Sequence, residues 1–176
     1  CGERLLQAKA KIRLEGSEAI LLISIRENEA IWGVDICGFD LGKRDYKVYQ
    51  HPASLRPNLL FSSLMLVEFQ EKHKMIDPFC KEGSLLIEAA LLCTQKSPHF
   101  FEKDKFLFSY SQAFKDKIKK LPWEKETEKK TKTSISGFDE SLKNVKATKA
   151  NAKIAGVDKK INISKLQVDW LETKFD

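Results

Sequence analysis

Apolar residues recur along this chain in short runs that predict strands within its first forty residues. The segments AKIRLEG and AILLISI flank the turn residues Gly16-Ser17, and AIWGVDI follows the polar stretch Arg26–Glu29. Alternating polarity and β-branched content favour strands, and Gly16 is the best-supported hairpin turn. We therefore predict a small β-rich N-terminal linker region over residues 1–50.

The next fifty residues predict a helix followed by a strand–turn–helix unit. A broad apolar face predicts a helix from about Asn58 to Glu71, and Pro57 suits its first turn because the missing N–H is not needed there. Strand Met75–Phe79, a short polar turn and helix Ser84–Thr94 follow directly. Such a unit is typical of sites for nucleotide-like ligands.

The alternation of predicted strands and helices resumes after an aromatic, charged insertion at about 96–132. The segment TSISGFD predicts a strand ending on Asp139, and a helix follows from about Ser141 to Ala155 with Gly156 as its stop signal. KINISKLQVDW predicts a short strand with a following segment that ends on Asp169-Trp170. Two β-α-β units in series predict an α/β fold with a doubly wound, mostly parallel sheet, incomplete at the C-terminus.

Composition narrows the class of protein. Hydrophobic residues make up 42% and charged residues 32% of the 176, and no apolar run approaches the ~20 residues of a membrane span. Four cysteines and three histidines are scattered without a CxxC pair or a Cys/His cluster. We therefore predict no metal site, no membrane segment and the reduced thiols of a cytoplasmic protein. The opening without Met indicates part of a longer protein.

The net charge of +6 permits a polyanionic partner. Between Glu102 and Lys132, ten lysines stand against six acidic residues, so +4 of the excess lies there. This segment is either a lysine-rich solvated loop or a nucleic-acid contact surface, and the sequence leaves both interpretations open.

Acidic residues stand at the ends of three predicted strands: Asp77, Asp139 and Asp169. In open parallel sheets, ligands bind at the carboxyl ends of the strands. An acid ending the second strand can accept hydrogen bonds from both hydroxyls of a ribose, although Asp139 lies further from Gly83 than the usual ~20 residues because the insertion intervenes. Asp139 can equally serve as a helix N-cap.

Three ordered motifs resemble a known family. IDPFCKEGSLLIEAALL is similar to the DPFCGSGTxxIEAA loop of THUMP-associated S-adenosylmethionine-dependent RNA methyltransferases, the tRNA and 23S rRNA guanine-N2 enzymes. Upstream, DLGKRDYKVYQHPASLRPNLLFSSLML resembles their LHKRGYRxxxHPAxLKPTLAAALL segment, and SGFDESLKNVKATKANAKIAGV resembles GxDxxxxxxxxAxxNAxxAGV. The resemblance covers roughly Gly38 to Trp170.

The resemblance implies a Rossmann-like class I methyltransferase fold, in which residues 51–176 form the cofactor-binding half of the methyltransferase domain, with S-adenosyl-L-methionine as cofactor. The loop after the first strand would pass beneath the methionine part, and the helix N-terminus at Ser84 suits its carboxylate. Asp139 would bind the ribose and Asp169 the adenine amino group. The implied cofactor-binding residues are Asn58, Asp77, Pro78, Phe79, Cys80, Gly83, Ser84, Asp139, Glu140, Asp169 and Trp170. For Phe79 and Trp170, core packing is the alternative.

This chain departs from the family pattern in two ways. Lys81 and Glu82 stand where the related loop has Gly and Ser, and Lys81 would have to adopt a backbone conformation that favours glycine. In addition, the chain contains no Asn/Asp-Pro-Pro-Tyr tetrapeptide, the catalytic motif that holds the target amino group, so we predict no catalytic residue here. That motif is expected after Asp176, and a THUMP domain before Cys1.

The resemblance therefore implies the cofactor-binding portion of an RNA guanine-N2 methyltransferase, inactive by itself, that acts on RNA, with tRNA favoured over rRNA. Two alternatives stay open. One is a non-catalytic RNA-binding or scaffold protein with a degenerate methylase fold, and the other is a DNA adenine-amino methylase. The oligomeric state is not predicted.

Overall fold

The computed structural model describes residues 19–111 and 134–170, together with Glu3, Gln7 and Ser17. The chain divides into two compact units, one of Cys1–Asp40 with Phe101–Pro122 and the other of Leu41–Phe100 with Trp123–Asp176. The division at residue 50 stays a prediction. Within the described residues, no helix is long and apolar enough to cross a membrane.

The first unit contains an antiparallel hairpin of strands β1 (Ile20–Arg26) and β2 (Glu29–Asp35). Its turn at residues 27–28 includes Glu27 with a φ of +50°, and both strands match the predicted segments. The hairpin predicted at Gly16 lies outside the described residues. In the insertion, a 3-10 segment Phe100–Lys105 precedes a one-turn helix Leu107–Tyr110.

The aromatic side chains described in the insertion are partly buried and partly exposed. Phe106 is buried and contacts Phe39 and Phe108, with ring centroids 4.9 and 4.8 Å away. Phe101 and Tyr110 are exposed instead. Phe114, Trp123 and the run WEKETEKKTKT lie outside the described residues.

The second unit is built on a parallel sheet of three strands, β3 (Lys74–Asp77), β4 (Ser134–Asp139) and β5 (Ile161–Lys165), in the order β3-β4-β5. Helix α1 (Pro57–Leu66) precedes β3, α2 (Ser84–Thr94) follows it, and α3 (Leu142–Ala155) joins β4 to β5. Both strand pairs are parallel, as the β-α-β pattern predicted.

Helix α2 is the central element of the core. Its Leu86, Ile87, Ala89 and Ala90 are completely buried, which fits a helix that is apolar on nearly every face. They form one cluster with residues of the strands and of α3, including Ile135, Ala152, Val157 and Ile161. Because α2 begins seven residues after β3 ends, this packing fixes the intervening turn at the carboxyl edge of the sheet.

The buried Glu88 joins α2 to the segment before α1. Arg44 donates to both carboxylate oxygens, at 2.9 and 3.3 Å, and the Tyr46 hydroxyl donates at 2.8 Å. Glu88 is fully buried, so these donors replace the water that a carboxylate requires. Burial, followed by the charge of Glu88, raises the pKa of Tyr46 well above its usual range.

The predicted end of α1 at Glu71 is wrong, because the helix ends at Leu66. Glu68 adopts a φ of +50°, and the Phe69 and Glu68 N–H groups donate to the carbonyls of Leu64 and Met65. This is the Schellman arrangement that usually has glycine at the left-handed position. Pro57 occupies the first turn as predicted.

Two strands end earlier than predicted. Strand β3 ends at Asp77 instead of Phe79, because Pro78 has no N–H and the Phe79 N–H donates to the Asp77 carboxylate at 3.0 Å. Strand β5 ends at Lys165, which pairs with Asp139, the last residue of β4. The last hydrogen bond to β4 is from the Leu166 N–H to the Asp139 carbonyl, at 3.2 Å. Asp169 and Trp170 lie beyond it, in the 3-10 segment Val168–Trp170.

Candidate functional site

The carboxyl ends of β3 and β4 bring two of the three predicted acids to one edge of the sheet. Asp139 ends β4 as predicted, and Asp77 ends β3, two residues before the predicted end of that strand. Asp77 pairs with Gly137, so β4 extends two residues further. Asp169 lies four residues past the end of β5, on an exposed segment.

The turn after β3 requires two left-handed residues. Lys81 has a φ of +51° and Gly83 a φ of +83°, so the glycine-favouring conformation expected at Lys81 is confirmed. A Cβ atom at Gly83 would lie 2.3 Å from Thr148 Cγ2, which no side chain tolerates. The turn therefore combines one obligatory glycine with one lysine held at a cost of about 1–2 kcal/mol.

Hydrogen bonds from β4 and α3 hold this turn in place. The Lys81 N–H donates to Asp139 Oδ2 at 3.0 Å, and Thr148 Oγ1 donates to the Lys81 carbonyl at 2.8 Å. Asn151 Nδ2 donates to the Glu82 carbonyl at 3.0 Å. With its N–H and carbonyl groups anchored, the turn is preorganised for close approach of a ligand.

Asp139 is not the helix N-cap that the sequence left open, because Ser141 is the N-cap of α3 and Asp139 lies two residues before it. Asp139 is only 6% exposed, and its Oδ1 accepts from the Ser141 N–H at 2.9 Å and from Asn144 Nδ2 at 3.0 Å at the start of α3. A carboxylate has about four acceptor positions, so these bonds and that from Lys81 leave room for another donor. Ribose binding by Asp139 therefore stays a prediction.

Asp77 is half-buried beside the turn, with an environment that disfavours its charge. Burial raises the pKa of Asp77 above the usual carboxyl range, opposed by the Phe79 N–H bond and by the charge of Lys81. The nearby carboxylates of Asp139 and Glu82 raise it further. A cationic ligand group would relieve this repulsion.

The other predicted loop residues occupy contrasting environments. Cys80 is buried, its N–H donates to the Phe138 carbonyl at 2.9 Å, and desolvation raises its pKa to about 11. It is therefore a packing residue of the turn. Pro78 is half-buried, whereas Phe79 is 61% exposed, so core packing does not account for Phe79.

A cavity of about 190 Å³ lies beside this turn. Its lining comprises Ala53, Ser54, Leu55, Leu60, Asp77, Phe79, Cys80, Lys81, Glu82, Ser84 and Leu85. Four of these residues (Asp77, Phe79, Cys80 and Ser84) were predicted. Asn58 is exposed on the first turn of α1 and does not line the cavity, whereas Leu60 does.

Seven predicted residues line neither of the two cavities described for this unit: Asn58, Pro78, Gly83, Asp139, Glu140, Asp169 and Trp170. The last three of these were predicted as cofactor contacts beyond the turn. All three are exposed, Trp170 by 72%, so Trp170 is not a core residue. A larger groove of about 1040 Å³ is lined by residues 48–52, by Glu82 and by residues of α3 such as Asn144 and Lys146.

Glu82 is the residue that sequence reasoning missed. It is 3% exposed, and its Oε1 accepts from Ser54 Oγ and, at 2.7 Å, from Ser84 Oγ, with Lys47 Nζ at 3.4 Å. Desolvation acts to raise the pKa of Glu82, but these hydrogen bonds outweigh it and hold the pKa below its usual range. Its partner Ser54 belongs to the HPAS segment, but no sequence pattern links the two residues.

Lys81 also reaches the HPAS segment, where its Nζ donates to the Ala53 carbonyl at 3.0 Å. The two residues that depart from the small family loop thus both hold segment 53–55 against the turn. Over residues 19–111 and 134–170, no three His, Cys, Asp or Glu side chains are grouped as metal ligands would be.

Comparison with known proteins matches most of the sequence to a family. Residues 44–176 match the model of the RMKL-like methyltransferase domain. The chain is similar to a tRNA (guanine(6)-N2)-methyltransferase of Methanocaldococcus jannaschii, with 32% identity over 85% of this chain and 39% of that protein. It is also similar to a ribosomal RNA large subunit methyltransferase K/L of Vibrio parahaemolyticus, with 27% identity over 93% of this chain and 24% of that protein.

The solved structure of SMU.472 complexed with SAH has the same fold, with a TM-score of 0.78 and 21% identity over 98% of this chain and 46% of that one. The chain thus spans less than half the length of each of these proteins. Because the family model covers about three quarters of the sequence, the chain belongs to the family of RMKL-like methyltransferase domains.

Proposed function

We propose that this chain is the S-adenosyl-L-methionine-binding portion of an RNA guanine-N2 methyltransferase. The observation that carries the proposal is the turn between β3 and α2, whose backbone is bound to Asp139 at the carboxyl end of the neighbouring strand. This is the edge where parallel sheets bind nucleotide-like ligands. The tRNA and rRNA methyltransferases similar to this chain support RNA as the substrate class.

The residues present fit this cofactor in two respects. The cavity lies beside the turn that contains the left-handed Gly83, and Ser84 at the N-terminus of α2 lines it, which suits a carboxylate. Its volume of about 190 Å³ is below the ~300–1,000 Å³ of a whole ligand site. We assign it to the amino-acid end, and the ribose to Asp139.

When bound, S-adenosyl-L-methionine supplies an electrophilic methyl group. The contribution of this chain is to bind and orient the cofactor, because positioning accounts for much of the rate of a direct transfer. The polar group that holds the guanine amino nitrogen is expected in the tetrapeptide motif that this chain does not contain.

We propose tRNA in preference to rRNA as the substrate, and a cytoplasmic location.

Calorimetry on the full-length protein tests cofactor binding. We expect both S-adenosylmethionine and S-adenosylhomocysteine to bind. Asp139→Asn should lower the affinity for S-adenosylhomocysteine at least tenfold, because hydrogen bonds to a charged acceptor contribute about 1.5–3 kcal/mol each. Asp158→Asn, before the amino end of β5, is the control. A 2′,3′-dideoxy analogue should bind both proteins equally if Asp139 holds the ribose. Absence of heat and of a thermal shift with either ligand would refute the proposal.

One rival function is an RNA-binding scaffold that has lost the cofactor, since Lys81 and Glu82 replace the Gly and Ser of the related loop. The strain at Lys81 costs about 1–2 kcal/mol of folding stability, because the folded turn already holds its left-handed conformation. A methyltransfer assay of the full-length protein on unmodified tRNA distinguishes the two functions. Methylation of DNA adenine in the same assay would instead favour the adenine-amino methylase.

A further inference from the structure

Glu82 has an incomplete set of hydrogen bonds. The three donors around its carboxylate, from Ser54, Ser84 and Lys47, all lie at Oε1. Oε2 is buried and has no hydrogen-bond partner among the described residues. Leaving a buried oxygen unsatisfied is destabilising, and more so for a charged group, so a buried carboxylate in this arrangement requires a further donor.

The position of Glu82 cannot adjust to remove this deficit. Its carbonyl accepts from Asn151 Nδ2 at 3.0 Å, and the next residue is the left-handed Gly83, packed against Thr148. Asn151 is itself tied to the backbone of Tyr49 in both directions, at 2.9 and 3.1 Å. The carboxylate is therefore held in place from both its backbone and its Oε1.

The charge of this carboxylate lies beside the cavity. Asp77 and Glu82 both line it, whereas its one lining cation, Lys81, donates to the Ala53 carbonyl. The hydrogen bonds that hold the pKa of Glu82 low keep it ionised at neutral pH. A cavity with two carboxylates and one engaged lysine suits a cationic ligand group.

We propose that Glu82 binds a positively charged group of the cofactor's amino-acid end, with Oε1 anchored by Ser54 and Ser84 and Oε2 accepting from the ligand. This inference rests on the proposed function. The related loops have serine at this position, so Glu82 adds a contact that their GSG sequence does not offer. The cationic group is the ammonium or the sulfonium.

Three ligands separate these groups: S-adenosylmethionine carries both, S-adenosylhomocysteine only the ammonium, and 5′-methylthioadenosine neither. Calorimetry on the full-length protein is repeated with Glu82→Gln, which keeps the shape and removes the charge. The matched control is Glu71→Gln, an exposed residue before the amino end of β3. Thermal unfolding of each variant reports whether the fold is retained.

We expect Glu82→Gln to lower the affinity for the two amino-acid-bearing ligands about 10–100-fold. The affinity for 5′-methylthioadenosine should change less than twofold. If only the affinity for S-adenosylmethionine falls, the contact is with the sulfonium, and this result also supports the inference. Equal weakening of all three ligands would overturn it, since Glu82 would then only hold segment 53–55, and unchanged binding of all three would overturn it as well.

A second variant covers the case in which Glu82→Gln does not fold. Glu82→Ser installs the residue of the related loops and removes the buried charge, and the same ligand pattern is expected. If the wild-type protein binds none of the ligands, the proposed function fails and this inference fails with it. If it binds them and neither variant discriminates among them, only the assignment of Glu82 fails.

Discussion

Lys81 is held in a left-handed conformation, and this predicts an unusual order of stability among its variants. Glycine adopts a φ of +51° without strain, whereas alanine keeps the strain, and both remove the lysine amine. We therefore expect Lys81→Gly to have a free energy of unfolding about 1 kcal/mol higher than Lys81→Ala, measured by urea denaturation.

The control position for this comparison is Lys72, an exposed lysine whose φ is not positive. There the order should reverse, with glycine less stable than alanine by roughly 0.5–1 kcal/mol, because glycine loses more conformational freedom on folding. The same order at both positions would show that Lys81 is not strained.

Glu82 illustrates what residue-level sequence reasoning could not reach. A loop has no periodicity from which the direction of a side chain follows, and an acidic residue is usually exposed. Its burial depends on Ser54 and Lys47, 28 and 35 residues away in sequence. By contrast, the resemblance already indicated the strain at Lys81, because the related loop has glycine there.

The elements themselves were predicted where local signals are strong. Ser84 and Thr94 bound α2 as predicted, and Gly156 ends α3 in a left-handed conformation. The end of α1 was missed because a glutamate, Glu68, occupies the left-handed position after the helix. No sequence propensity distinguishes this residue from a glutamate within a helix. The end of β5 was missed because it depends on the length of its partner strand, β4.

At the scale of elements, the Glu88 ion pair should stabilise the docking of α2 against the segment before α1. Arg44 and Glu88 side chains are 6% and 0% exposed, so Glu88→Ala would leave a buried guanidinium without its counter-charge. We expect a loss of about 3–5 kcal/mol in the free energy of unfolding, measured by urea denaturation, and a smaller loss for Glu88→Gln.

Glu71→Ala serves as the surface comparison and should change the free energy of unfolding by less than about 0.5 kcal/mol. If Glu88→Ala cost no more than this control, Arg44 would have found another partner or water on the surface. The ion pair would then not hold these elements together.

At the scale of the whole molecule, the excess of positive charge predicts that affinity for tRNA falls steeply with salt, because each neutralised phosphate releases counterions. The lysine-rich segment between residues 102 and 132 carries most of this excess, and its lysines 115–132 lie outside the described residues. We expect replacement of three of them by glutamine (Lys117, Lys119 and Lys120) to reduce the salt slope of tRNA binding by about 2–3.

The matched control removes the same charge at the amino ends of the strands, through Lys72→Gln, Lys74→Gln and Lys159→Gln. Because ligands bind at the opposite edge of a parallel sheet, this variant should keep the wild-type slope, measured by fluorescence titration between about 50 and 200 mM salt. Equal slopes for the two triple variants and the wild type would identify the segment as a solvated loop. RNA binding would then have to come from other surfaces, such as the groove beside α3 that Lys146 and Glu82 line.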